Sequence, residues 1–427
     1  MFSKKTIRDI DLKRKTVLLR ADFNVPVKDG KITDDYRIKQ ALPTINFLLA
    51  HSKRLIICSH LGRPKGPDDS SASLFPVAKR LQQLIDRPVG FATDSVGESA
   101  DKAVKDLQKG HVLLLENLRF YSEEENNDHE FAKKLASYAD VFVQDGFGVV
   151  HRAHASTDAV AHYLPSVSGF LLEKEVDTIT NVMHQPKRPL MAIIGGAKIA
   201  DKIDVLHKFI EIADFVAVGG GMANTFLAGK GLNVEESLYD RADVPVARDI
   251  MRKAAREARK RPFIFSIPVD GVVSKKVDKF SKTRIVDWGA HVIADIEHYP
   301  RRVPKSATRL LDDERILDIG PFSGSFIAGG VQLANTVIWN GSMGVTEIDG
   351  TQGPIGPYSQ GTNIIVEAMI GEFGNKPFTV VGGGDTVGYI QAHKLLDCFN
   401  HVSTGGGASL ELMAGRKLPG VEVLLDK

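Results

Sequence analysis

Nine short apolar runs, each followed by a polar or glycine turn, constrain this chain more than any other feature. They are TVLLR (16–20), RLIICS (54–59), HVLLLE (111–116), VFVQD (141–145), LMAIIGG (190–196), DFVAVGGG (214–221), FIFSIPVD (263–270), TVIWNG (336–341) and FTVVGGG (378–384). Most are continuous rather than alternating, so both faces of the strand must be covered, as in parallel sheets under helices. Helical patterns follow most of them, and strand, turn, helix repeated many times predicts a doubly wound α/β fold. With 427 residues the chain exceeds what one core holds, since single cores stop growing at ~250–300 residues. Two blocks are expected, residues 1–170 with the C-terminal segment 405–427, and residues 186–404. LLEKEVDTITNVMHQ (171–185) reads as an amphipathic helix between them, stopped by Pro186 and Pro189.

Composition narrows the function classes. The formal net charge is +2, so no global field marks a nucleic-acid or membrane binder, and any anion site must be built locally. MFSKKTIRDI carries no apolar signal core, and no run approaches the ~20 apolar residues of a membrane span. The two cysteines, Cys58 and Cys398, form no CxxC spacing and are expected to be buried free thiols in a reducing compartment, which places the chain in the cytoplasm.

In open α/β sheets ligands bind beyond the carboxyl ends of strands. In the first block those ends carry Arg20, Asp22 and Asn24, then His60 and Arg63, then Arg119, then Arg152 flanked by His151 and His154. Arg37 stands at an expected helix start. Guanidinium forks bind phosphate and carboxylate bidentately, and Asp22 and Asn24 can accept from a hydroxyl. The inventory suits a small ligand bearing phosphate, carboxylate and hydroxyl groups. For the two histidines, a packing or hydrogen-bonding role outweighs a metal site.

In the second block four strand ends carry glycine clusters, GGAK (195–198), GGG (219–221), WNGSMG (339–344) and GGGDT (382–386), and STGGGAS (403–409) follows the last helix. Glycine lets backbone N–H groups approach an anion, and a following helix N-terminus adds a favourable dipole. Lys198 and Lys202 lie four apart and are expected on one helix face. Asp385 suits a magnesium ion held through a nucleotide phosphate. Neither GxxxxGK[ST] nor GxGxxG occurs, which excludes a P-loop and a dinucleotide fingerprint.

The segments LLRADFNVP, SHLGRPKG, LLLENLRFYSEEENND, DGFGVVHRAHAST, GGAKIADKI, VGGGMANTFL, VIWNGSMGVTE, VGGGDT and STGGGASLELMAG resemble phosphoglycerate kinases, in the family's order and over nearly the whole chain. The resemblance implies two Rossmann-like three-layer domains with parallel sheets facing a central cleft. It implies that Asp22, Asn24, Arg37, His60, Arg63, Arg119 and Arg152 bind 3-phosphoglycerate or 1,3-bisphosphoglycerate. For Mg-ADP or Mg-ATP it implies Gly196, Ala197, Lys198, Lys202, Gly220, Met343, Glu347, Gly383, Gly384, Asp385 and Thr386, with Mg2+ near Asp385. Arg37 and Lys202 take the place of the transition-state cations, with the backbone at Gly384 and Gly406 around the transferring group. A monomer acting by hinge closure is expected, with neither nucleic-acid nor membrane partners.

The chain departs from the family's usual pattern at Ser342, Thr346 and Gln144, in GVV (148–150) and in PFSGS (321–325); the first two touch the expected nucleotide pocket. Two other readings remain at this level. One is another carboxylate kinase. The other is a non-catalytic binding relative, which predicts erosion of Arg37, Lys202 or Asp385, and all three are present.

Overall fold

A computed structural model describes residues 2–289, 305–351 and 355–427. The chain forms two compact units. The first comprises residues 1–180, 407–412 and 416–427, and the second residues 181–406 and 413–415.

The first unit is built on six strands, β1 (Thr16–Arg20), β2 (Arg54–Cys58), β3 (Val89–Phe91), β4 (Val112–Leu114), β5 (Val141–Gln144) and β6 (Ser166–Ser168). They lie in the order β3-β4-β2-β1-β5-β6, every neighbouring pair parallel. The continuous apolar runs are explained by two cores. Val17, Leu19, Leu55, Ile57, Val141 and Val143 face one helix layer. Leu18, Ile56, Cys58, Leu113 and Phe142 face the other. Successive side chains of a strand point to opposite faces, so a strand covered on both sides must be apolar throughout. Each such Val, Leu or Ile contributes roughly 1.5–3 kcal/mol by burial.

Helix α1 (Tyr36–His51) packs on this sheet, and the short α2 (Ser122–Glu125) follows β4. Helix α3 (Phe170–His184) carries the chain out of the unit and ends before Pro186, which has no N–H to continue it. The C-terminal segment returns here: Lys5 N–H donates to Leu425 O, Leu425 N–H to Ser166 O, and Gly420 N–H to Val150 O.

The second unit contains β7 (Leu190–Ile194), β8 (Phe215–Val218), β9 (Ile264–Ser266), β10 (Gly271–Ser274), β11 (Arg284–Val286), β12 (Arg315–Ile319), β13 (Thr336–Asn340), β14 (Phe378–Gly382) and β15 (His401–Val402). Six form a parallel sheet in the order β9-β8-β7-β13-β14-β15. The other three form an antiparallel sheet, β11-β10-β12, which the apolar runs do not announce. FIFSIPVD is accordingly not one strand. It stops at Ser266, two residues before Pro268, and the chain re-enters extended structure at Gly271 in the other sheet.

Helices α4 (Ile203–Ile212), α5 (Gly220–Gly229), α6 (Pro321–Leu333), α7 (Gln360–Ile370) and α8 (Gly384–Ala392) follow strands of this unit or their turns, and α9 (Gly407–Met413) follows the last turn. Among the described residues no helix is long and apolar enough to cross a membrane. Both cysteines are free. Cys58 is buried and its thiol is pushed up to about 12, whereas Cys398 is half-exposed, contrary to the expectation of two buried thiols.

Candidate active site

In both sheets the strand order reverses beside the central strand, between β1 and β5 in the first and between β7 and β13 in the second. Such a reversal opens a crevice beyond the carboxyl ends of the strands.

In the first unit, β1 runs into Asp22 and Asn24. Asp22 is almost buried and accepts from Arg37 Nη1 at 2.7 Å, Arg37 lying in the first turn of α1. Asn24 Oδ1 accepts from Gly62 N–H at 2.9 Å, and Gly62 O accepts from Arg119 Nη1 at 2.8 Å. The fully buried Asn117 pins these loops together, accepting from Leu61 N–H and Arg119 N–H and donating to Leu61 O and Ala72 O. Arg63 is exposed in the same loop, next to Gly62. Arg152 Nε donates to His151 Nε2 at 3.2 Å.

The rim is rich in cations. Burial holds the Arg119 guanidinium below its ordinary value, and Arg20 and Arg152 push the same way; the half-exposed Glu125, 3.1 Å from its Nε, opposes them. His60 is held well below the usual histidine range by burial and by Arg20, Arg119 and Arg37. His154 falls to about 4, again by burial first and then by Arg20, Arg119 and Arg152. Both rings are neutral near pH 7; His60 Nδ1 pairs with Arg20, whereas His154 Nδ1 is buried without a hydrogen-bond partner among the described residues. An anion entering here relieves repulsion among the guanidinium groups. Arg20, expected at the rim, is buried beneath it instead, because its guanidinium is consumed by Ser156, Ala21 O and His60.

In the second unit three turns lock one another. Gly195 N–H donates to Asn340 O, Gly196 N–H to Ser342 O, Gly220 N–H to Met343 O and Met222 N–H to Gly196 O. Gly220 has φ +65, and a Cβ there would lie 2.7 Å from Gly196 N and Ser342 O, so only glycine fits. Gly383 (φ +92) brings the GGGDT turn against Asn340, and Thr386 Oγ1 accepts from Gly341 N–H at 2.9 Å.

Lys202 is 9% exposed; its ammonium donates to Gly195 O, Asn340 O and Asn340 Oδ1. Burial lowers its pKa to about 8, partly opposed by Asp385 and Asp201. Lys198 does not share a helix face with it. The stretch from Gly195 to Ile199 is a loop closed by a single 3-10 turn at Ala200–Lys202, so Lys198 is exposed while Lys202 turns inward. Asp385 is exposed in the first turn of α8, whose N-terminus is formed at Gly384. Gly406 (φ +51) has open space where a Cβ would stand.

A cavity of about 450 Å³ opens beside these turns. Gly196, Ala197, Gly220, Met343, Glu347 and Asp385 all line it. Lys202, Gly383, Gly384 and Thr386 belong to the adjoining turns rather than to its wall. Its apolar wall includes Leu238 and Trp288, which the sequence does not announce because one comes from a loop and the other from the turn that follows β11 of the antiparallel sheet. Asp318 also borders it, a buried carboxyl pushed up to about 8 by desolvation and accepting from Gly361 N–H at the start of α7. Asn340 was missed too, although its place at the end of a buried strand, before a glycine, was a usable signal. A cavity of this size, with one apolar wall beside glycine turns and the first turn of α8, suits a nucleotide.

Comparison with known proteins agrees. The family model for phosphoglycerate kinase matches residues 7–416. The phosphoglycerate kinase of Pelotomaculum thermopropionicum is 44% identical over 425 residues, covering 100% of both chains. That of Chloroflexus aurantiacus is 45% identical over 427 residues, covering 99% of each. Among solved structures, phosphoglycerate kinase from Coxiella burnetii superposes with a TM-score of 0.78 at 33% identity, covering 98% of both chains. That from Pyrococcus horikoshii gives 0.79 at 30% identity, covering 99% of this chain and 98% of its own. By full-length similarity in sequence and in fold, this chain belongs to the phosphoglycerate kinase family.

Proposed function

We propose that the arginine rim of the first unit holds 3-phosphoglycerate or 1,3-bisphosphoglycerate and that the glycine turns of the second hold Mg-ADP or Mg-ATP. By its family the chain is a glycolytic kinase, a transferase with a carboxyl group as acceptor. The finer assignment rests on one observation above all. Arg37, Arg119 and Arg152 gather at a rim where Asp22 pairs with Arg37 and Glu125 with Arg119, while the buried Glu124 beneath it lies beside Arg20, which leaves positive charge for an anionic ligand.

The phosphoryl group migrates through a loose transition state with charge spread over its equatorial oxygens. The acyl phosphate has a good carboxylate leaving group, and the attacking phosphate oxygen is already ionised, so no general base is required. The chain's part is positioning, neutralisation and exclusion of water. Arg37 and Lys202 act as the neutralising cations, and peptide N–H groups at Gly384 and Gly406 orient the PO₃ group. Asp385, exposed at a helix start, fits a magnesium ion shared with nucleotide phosphates, which would neutralise phosphate charge. Hinge closure about α3 and residues 403–409 is the proposed route to direct in-line transfer, in a cytoplasmic monomer.

A coupled assay with 3-phosphoglycerate and Mg-ATP tests this reading. Turnover with 3-phosphoglycerate is expected; turnover only with a different small carboxylate would assign the rim to another acid. Small-angle scattering tests the closure: compaction is expected with both ligands bound, and an unchanged profile at saturation rejects it.

A further inference from the structure

Beneath the cationic rim lies a fully buried polar chain that the reaction as described does not use. Arg20, Glu124, Ser156 and His60 are each no more than 2% exposed. Arg20 Nη2 stands 3.2 Å from His60 Nδ1. Arg20 Nε donates to Ser156 Oγ at 2.7 Å, and Ser156 Oγ donates to Glu124 Oε1 at 2.6 Å. Ser156 N–H donates to Glu124 Oε2 at 2.9 Å, and Arg20 Nη2 lies 3.8 Å from Glu124 Oε1.

The direction of each bond follows from the chemistry of the groups. A guanidinium has only donors, so His60 Nδ1 must accept and cannot carry the proton. In the neutral ring the proton then sits on Nε2, which none of the described residues bonds. The serine hydroxyl has a single proton. With that proton given to Glu124, its lone pair faces Arg20 Nε and fixes the guanidinium plane. Rotating the plane would break the contacts to Ser156, to Ala21 O at 2.5 Å and to His60 together.

We propose that Arg20, held by Ser156 and Glu124, is a positioning residue that locks His60 as the Nε2–H tautomer, so that His60 presents a neutral hydrogen-bond donor to the anionic substrate. The opposite tautomer would set a donor against a donor at Arg20 and aim a lone pair at the incoming oxygen. The inference deepens the assignment of His60 to the 3-phosphoglycerate site and rests on it. Burial and the neighbouring arginines keep the ring uncharged, in agreement with a donor that works through its tautomer rather than through charge.

Long-range ¹H–¹⁵N NMR of the histidine rings in the unliganded full chain tests the lock directly, with the His60 signals identified by their loss in His60→Gln. A proton on Nε2 at neutral pH is the expected result; a proton on Nδ1, or a charged ring, overturns the proposal, whatever His60 binds. Because Arg20→Leu risks unfolding a buried network, the functional arm uses Ser156→Ala. It is expected to mix the two tautomers and to raise KM for 3-phosphoglycerate about tenfold, the scale of one misdirected hydrogen bond, with KM for Mg-ATP within about twofold of wild type. An equal rise in both KM values, or an unmixed tautomer in Ser156→Ala, shows a merely structural role and overturns it. Titration with 3-phosphoglycerate separates the underlying reading. If the His60 ring nitrogens fail to shift at saturation, the site assignment falls and takes the substrate-facing half of the proposal with it, while the wild-type tautomer still reports on Arg20.

Discussion

The Lys202 ammonium donates to Asn340 twice, to the side-chain oxygen at 2.9 Å and to the main-chain oxygen at 3.0 Å. With Gly195 O as third acceptor, all its donors are met by uncharged oxygens, in a site so buried that its pKa falls to about 8. Phosphate oxygens entering beside it favour the charged form. Nucleotide binding is therefore expected to take up a proton near pH 8, and affinity for Mg-ADP is expected to fall above that pH, approaching about tenfold per unit. The fold responds in the opposite sense. An unfolded lysine titrates near ~10.4, so between about 8 and that value the unfolded state binds more protons, and this residue's contribution to stability rises with pH. Calorimetric titration with Mg-ADP in buffers of different ionisation enthalpy checks the uptake; no proton exchange between pH 7.5 and 9 would sink it.

Arg37 is expected to govern turnover rather than nucleotide binding. Arg37→Ala should lower kcat by ~10²–10³-fold, the loss that follows removal of one charge-stabilising donor, with KM for Mg-ATP little changed. It also strips the partner from Asp22, whose side chain is 3% exposed, so the melting temperature should fall as well. Arg37→Lys separates the two effects: a charge near Asp22 restores stability, but the two-pronged fork is gone and kcat stays low. A normal kcat in Arg37→Ala would remove its assignment.

Two glycines in neighbouring turns predict opposite outcomes. At Gly220 a Cβ would press on Gly196 N and Ser342 O at a positive φ, so Gly220→Ala should destabilise the fold by roughly 1–3 kcal/mol. At Gly384 nothing lies within 4 Å of where a Cβ would stand. Gly384→Ala should keep its melting temperature and lose kcat by about 10²-fold, the effect of displacing the transferring group by ~1 Å. Thermal melts alongside kinetics decide the matter, and a stable, fully active Gly384→Ala protein would show that the backbone there does not approach the substrate.

What the sequence could tell followed from periodicity. Val17 to Leu19 and Leu55 to Ile57 read as doubly covered strands because both of their faces do lie against helices. Residues at strand exits were legible for the same reason: the carboxyl end of a parallel strand fixes where Asp22, His60 or Gly196 must stand. For Arg20, position at a strand exit does not say whether a long side chain turns outward to the rim or inward beneath it. That choice was made by Ser156 and Glu124, which lie 136 and 104 residues away along the chain (156 − 20 and 124 − 20). Spacing by four puts Lys198 and Lys202 on one face only if the backbone between them is helical, and it is a loop with one tight turn. The antiparallel sheet was invisible because its strands, such as GVVS and RIV, are short and partly polar and neither alternate nor run on.

Only two tryptophans occur in the chain, and their surroundings differ enough to make one of them a reporter. Trp339 lies at the centre of the second unit's parallel sheet, fully buried, with Nε1 donating to Gly341 O. Trp288 is half-buried on the wall of the nucleotide-sized cavity; its Nε1 donates to Pro268 O at 2.8 Å, and its ring lies against Gly271. A base entering that cavity excludes water from the Trp288 ring and leaves Trp339 untouched. Saturating Mg-ADP should therefore change the intensity and emission maximum of tryptophan fluorescence in the wild type, while 3-phosphoglycerate alone should not. Trp288→Phe keeps an apolar wall and should abolish the signal while changing KM for Mg-ATP by less than about tenfold, since one partly buried aromatic contact is worth roughly 0.5–1.5 kcal/mol. If the nucleotide response survives in Trp288→Phe and vanishes in Trp339→Phe, the nucleotide does not enter by this wall, and the cavity assignment must move toward β13.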